Sequence, residues 1–150
     1  MKKVIHRAGT RGHSDHGWLD SYHTFSFADY HDPERIHFGA LRVLNDDTVA
    51  GGEGFGAHPH DNMEIVSIAL SGALKHGDSM GHMKVLEPGE IQVMSAGTGI
   101  THSEMNASDT APVKFLQKWV LTDAENHTPR YNQIRLAPAK RTEMRTIVAP

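Results

Sequence analysis

The chain contains no cysteine. That absence excludes disulfides, thiolate catalysis and zinc sites built on cysteine. No apolar run approaches the roughly 20 residues that a membrane-spanning helix requires. Two lysines open the chain in "MKKVIHRAG", but no apolar segment follows them, so no signal peptide is expected and the expected location is the cytoplasm. The 15 basic residues form no long cluster and the net charge is -3. Binding to a phosphate backbone needs a basic stripe, so direct contact with nucleic acid is not expected, and neither is a membrane partner. Amphipathic helices are missing as well; one turn within "DAENHTPRYNQ" is the most that the sequence offers.

What the chain has in quantity is histidine, 12 of 150 residues, set among short segments of period 2. A chain of this length fits one domain with a substantial core. "MEIVSIALSG" alternates Val66, Ile68 and Leu70 with Ser67, Ala69 and Ser71, and "GEIQVMSAG" alternates Ile91 and Val93 with Glu90 and Gln92. "PVKFLQKWVL" places Val113, Phe115, Trp119 and Leu121 on one face, interrupted by Gln117. Each run is short and bounded by turn formers such as "NDD", "HGDS" and "EPGE". Many short strands separated by turns predict an all-β sandwich or barrel. The last twenty residues, with two prolines and a basic cluster, read as a trailing arm or a final strand.

"GFGAHPHDNMEIV" sets His58 and His60 two residues apart. Residues i and i+2 of a strand face one side, so the two imidazoles project together. If the strand is regular, the same parity runs through Glu64, Val66, Ile68 and Leu70 and turns the pair into the barrel. Pro59 cannot donate to a ladder and suits an edge position near a barrel mouth. In "MSAGTGITHSEMN" His102 and Glu104 again share a face, behind the turn-permitting Gly97 and Gly99. Three imidazoles and a carboxylate form a mixed N/O set for Fe, Mn, Ni, Cu or Zn, with Glu64 and Glu104 both open as the fourth ligand. A lone surface HxH is common; the second His/Glu pair is what favours a metal site here. The remaining histidines, His6, His13, His16, His23, His31, His37, His76, His82 and His127, are expected to be mostly solvated or hydrogen-bonded. "GGEGFG" lacks the helix and the Gly-Lys ending of a phosphate loop, and "THSEM" lacks the strand–turn–helix of a hydrolase elbow.

These segments resemble the cupin superfamily. Gly52, His58, His60 and Glu64 fit its first motif, and Gly89, Gly97, His102 and Asn106 its second, with Ser95 where proline is usual and two extra residues before the histidine. Those departures, together with "RGHSDHGWLDSYHTFSFADYHDP" and "FGALRVLNDD", resemble bacterial members of the pirin family over about residues 1–135. The resemblance implies a single cupin-type double-stranded β-helix, or jelly-roll barrel, over 1–135, with 136–150 as an arm in place of the second cupin domain that pirins carry. It implies one divalent metal, Fe(II) first and Mn, Ni, Cu or Zn otherwise, held by His58, His60, His102 and Glu104. It also implies quercetin 2,3-dioxygenase chemistry, the opening of a flavonol ring by O2, with Glu104 doubling as the base. Phe55, Met94, Phe115 and Trp119 are candidate walls of a pocket for a small aromatic substrate, ordinary core packing being their competing role. Leaving uncovered a face that the second barrel covers would favour a homodimer. A metal-binding regulatory or small-molecule-binding module without turnover is the alternative.

Overall fold

A computed structural model describes residues 4–137 and residue 146. Beyond a single 3-10 turn at Ala8–Thr10, the regular structure of the described residues is strand. The eleven strands are β1 (Gly12–Asp15), β2 (Leu19–His23), β3 (Leu41–Val49), β4 (Gly54–His60), β5 (Met63–Ser71), β6 (Leu74–Asp78), β7 (Met83–Leu86), β8 (Glu90–Ser95), β9 (Ile100–Asn106), β10 (Val113–Leu121) and β11 (Arg130–Arg135). They form two antiparallel sheets, one of seven strands in the order β1-β2-β3-β10-β5-β8-β11 and one of four in the order β4-β9-β6-β7. The all-β expectation therefore holds. The single turn that is the most "DAENHTPRYNQ" offers does not form: 123–126 are bends, and Asn126 takes a positive φ of 62° that ends any helical run. β11 supplies the final strand, whereas most of the expected C-terminal arm, 138–145 and 147–150, lies outside the described residues. No helix among the described residues is long and apolar enough to cross a membrane.

Between the sheets lie two apolar clusters. One contains Leu19, Val49, Ala69, Leu74, Leu86, Val113 and Phe115; the other contains Ile65, Met94, Ala96 and Ile100, with Met63 and Trp119 packed against it. Full burial of side chains such as Phe115 and Ile65 stabilises by roughly 1.5–3 kcal/mol each. The strand registers place a polar row beside an apolar one. His23 pairs with Asn45, Asn45 with Gln117, Gln117 with Ser67, Ser67 with Gln92, and Gln92 with Gln133. Directly paired residues share a face, so one line of polar side chains crosses six strands of the large sheet. On one side of it runs Val43–Trp119–Ile65–Met94, and on the other Asp47–Phe115–Ala69. Gln117 is thus a member of a polar level rather than an interruption of an apolar face. Leu121, expected on that face, is 44% exposed after a register shift between Trp119 and Val120.

The expected parity does not survive from β4 into β5. The chain reverses at Asp61–Asn62, where Asn62 has φ 44°, and β5 joins the other sheet. Ile65, Ser67 and Ala69 are the inward residues of β5, while Leu70 is 46% exposed. Alternation fixes which residues share a face within one strand, but a turn between sheets resets it.

Candidate metal centre

β4 is an edge strand of the four-stranded sheet, which suits Pro59, and it pairs with β9 so that His58 stands opposite His102. Two glycines set this approach. A Cβ on Gly54, at the start of β4, would collide with the backbone of Glu104 and Met105. Gly97 has φ 48° in the turn before β9; its carbonyl accepts from the Asn62 N–H at 2.9 Å, and a Cβ there would collide with the His127 carbonyl oxygen. The turns leading out of β4 and into β9 are therefore tied to each other.

This pairing gathers three imidazoles. Ring centroids are 4.4 Å apart for His58–His102 and 4.9 Å apart for both His58–His60 and His60–His102. One nitrogen from each lies within 4.8 Å of the others. His58 Nδ1 is 2.8 Å from the Gly56 carbonyl, which can only accept, so Nδ1 carries a proton and Nε2 is the nitrogen left to ligate. His102 is 2% exposed, and both its ring nitrogens are buried without a hydrogen-bond partner among the described residues. Burial, reinforced by His58, lowers the His60 pKa to about 4; burial, reinforced by His58 and His60, lowers that of His102 to about 3. Both rings are neutral at neutral pH, the state in which imidazole ligates. Buried polar nitrogens without partners are costly. Three neighbouring imidazole nitrogens suit a divalent ion of the Fe, Ni, Cu or Zn kind, for which neutral imidazole is a common ligand.

Of the two carboxylates, Glu104 shares the inward face of β9 with His102 but lies outside the set of nitrogens within 4.8 Å. It is 2% exposed; Gln117 Nε2 donates to its Oε2 at 2.6 Å and the Ser67 hydroxyl to its Oε1 at 3.1 Å. Burial pushes its pKa up, against the lowering effect of those two bonds. Glu64 is placed on β5, in the other sheet, where its Oε2 accepts from the Ser95 hydroxyl at 2.7 Å. Trp119 meets His60 edge-on at 4.9 Å, and Phe55 lies 6.5 Å from His58. Met94 and Phe115 are fully buried in the two apolar clusters. A cavity of about 80 Å³ is lined by residues that include His23, Asn45, Asp47, Phe55 and Gln117, and by none of the three histidines.

Several groups around the centre carry no signature of their own in the sequence. His76, directly opposite Glu104, adds a fully buried imidazole beside the three, with its ring 5.5 Å from His102 and its Nε2 2.9 Å from Asp78. The Tyr131 ring stacks on it at 4.7 Å. Asp47 accepts from the Ser21 hydroxyl, and burial raises its pKa to about 7. The available signal was parity: Leu74, His76 and Asp78 alternate on β6 with side chains turned inward.

A family model described as Pirin matches residues 4–120. The chain is 52% identical over 131 residues to the quercetin 2,3-dioxygenase of Escherichia coli K12, covering 87% of this chain and 57% of that protein. The crystal structure of the bacterial pirin YhhW from Escherichia coli in complex with nickel(II) superposes with a TM-score of 0.85 at 52% identity, covering 87% of this chain and 57% of that one. The cupin domain of Schizosaccharomyces pombe Cnp3 is alike in fold alone, with a TM-score of 0.56 at 10% identity, covering 79% of this chain and 74% of that one. The barrel is a cupin fold, and the chain spans a little over half the length of the longer bacterial relatives.

Proposed function

The chain belongs to the pirin family, and from that membership we propose that it is a metal-dependent dioxygenase of the quercetin 2,3-dioxygenase type, with His58, His60, His102 and Glu104 as ligands. The observation that carries this reading is the convergence of three imidazoles, one of them buried with both nitrogens unpartnered among the described residues. The relative with bound nickel(II) and the relatives named quercetin 2,3-dioxygenase support a divalent ion and a flavonol-like substrate. Their activity belongs to proteins of which this chain spans 57%, so it enters here as a proposal.

When bound, a divalent ion supplies a Lewis acid that lowers the pKa of a hydroxyl at its open position. The protein's part is orientation and proton handling. The Gly56 carbonyl fixes the His58 tautomer, and burial keeps His60 and His102 neutral. Glu104, whose proton affinity burial raises, is the group to accept the proton of a flavonol 3-hydroxyl. Trp119 and Phe55 offer aromatic faces beside His60 and His58.

A binding or regulatory module without turnover is favoured by one observation. The cavity that Phe55 and Gln117 help to line is about 80 Å³ and has none of His58, His60 and His102 in its lining, whereas ligand pockets run to roughly 300–1,000 Å³. Quercetin-dependent oxygen uptake by protein loaded with Fe(II), Mn(II), Ni(II), Cu(II) or Zn(II), with His60→Ala alongside, separates the two readings. Uptake that requires both the ion and His60 is expected. Stoichiometric metal binding without uptake would move the assignment to the module.

A further inference from the structure

We infer that Gln117 is a positioning residue for Glu104, locked in orientation by the indole N–H of Trp119, so that the large sheet determines how the small sheet's carboxylate meets the ion. The inference rests on the metal reading above and assigns a role to two residues outside the ligand set.

Gln117 is 8% exposed and sits in the middle of the polar row, on the face of β10 that it shares with Trp119. Its Oε1 accepts from Trp119 Nε1 at 3.1 Å, and its Nε2 donates to Glu104 Oε2 at 2.6 Å. An indole nitrogen only donates and an ionised carboxylate only accepts. An amide held between them satisfies both neighbours in one orientation; rotated by half a turn, it would set N–H against N–H and oxygen against oxygen. The Ser67 hydroxyl holds the other carboxylate oxygen, so each oxygen receives one hydrogen bond and keeps lone-pair capacity. The same indole ring lies edge-on to His60. Trp119 and Gln117 therefore connect a histidine on β4 with the carboxylate on β9 without belonging to either strand. Without Gln117, Ser67 alone would hold a side chain with three rotatable torsions.

Outer partners of metal ligands typically contribute 10–100-fold in affinity. The test is a Ni(II) titration by calorimetry on the full chain, arranged as a double-mutant cycle. Gln117→Met keeps the shape and removes the bond to Glu104; Glu104→Ala removes the group through which Gln117 is argued to act. Gln117→Met should weaken Ni(II) binding by about 10–100-fold in the wild-type background. In the Glu104→Ala background its effect should shrink to within about twofold, the scatter of independent sites. Trp119→Phe, which keeps an aromatic ring but loses the donor, should weaken binding in the same direction and by less. Should Glu104→Ala fail to fold, Glu104→Met, which keeps the length and offers Gln117 no oxygen, replaces it in the cycle. An equal loss in both backgrounds, or no loss with Gln117→Met, overturns the inference while leaving the metal site standing. Ni(II) binding by His60→Ala that matches the wild type would instead remove the site reading, and the inference with it.

Discussion

The two sheets divide the work unequally. All four proposed ligands stand on the two neighbouring strands β4 and β9 of the four-stranded sheet, and β6 beside them adds the buried His76 and Asp78. The seven-stranded sheet supplies most of the core, including Phe115, Ile65 and Met94, and a single polar level facing the ligands. The small sheet places polar groups where folding alone would place apolar ones, and the large sheet offsets that cost with packing while donating hydrogen bonds to Glu104.

The largest expected effect lies in the large sheet. Phe115→Ala should cost about 3–5 kcal/mol, the range for a fully buried phenylalanine. Urea unfolding measures it, and a loss below about 1 kcal/mol would mean that the core does not rest on this sheet. On the small sheet the sign should reverse. His102→Leu removes two buried nitrogens that have no hydrogen-bond partner among the described residues and should stabilise the metal-free protein by about 1 kcal/mol while abolishing binding of one divalent ion. Thermal unfolding with and without Ni(II) reads both effects; a destabilised metal-free variant would deny the contrast between the sheets.

A subtler comparison is in pH. His60 and His102 have folded pKa values of about 4 and about 3, below the ordinary 6.5, so the unfolded chain takes up their protons first. Their contribution is complete above pH 6.5 and is lost as pH falls toward those values. Asp47, on β3 of the large sheet, runs the other way. Its folded pKa of about 7 exceeds the ordinary 3.8, so its contribution declines as pH rises between the two. The opposed slopes partly cancel in the metal-free wild type. Asp47→Asn should unmask a steeper rise in stability from pH 4 to 6.5, followed by denaturant midpoints across that range. An unchanged slope would show that Asp47 titrates normally.

Much of the fold and the heart of the site are legible in the sequence because they rest on short-range pattern. Period 2 marks the strands, and the His58/His60 and His102/Glu104 spacings mark one face of each strand without any knowledge of the partner. What escapes is non-local. Extending the His58 parity to Leu70 fails because the turn at Asn62 passes the chain from one sheet to the other. The polar row is equally invisible, since Asn45, Gln117, Ser67 and Gln92 are ordinary residues that acquire meaning only through the registers of four strands. Gln117 is the instructive case: it breaks an apolar alternation, and the break marks the residue that reaches across the barrel to Glu104.

The edge-on contact between Trp119 and His60, 4.9 Å between ring centroids, gives the barrel its own optical probe. The chain has two tryptophans, and the other, Trp18, packs against Phe55. With Trp18→Phe in place, the emission of the remaining indole reports from within contact distance of a proposed ligand. A paramagnetic ion at the histidines should quench it and a closed-shell ion should leave it bright, so arrival at the centre and the electronic character of the arriving ion can be followed in one cuvette.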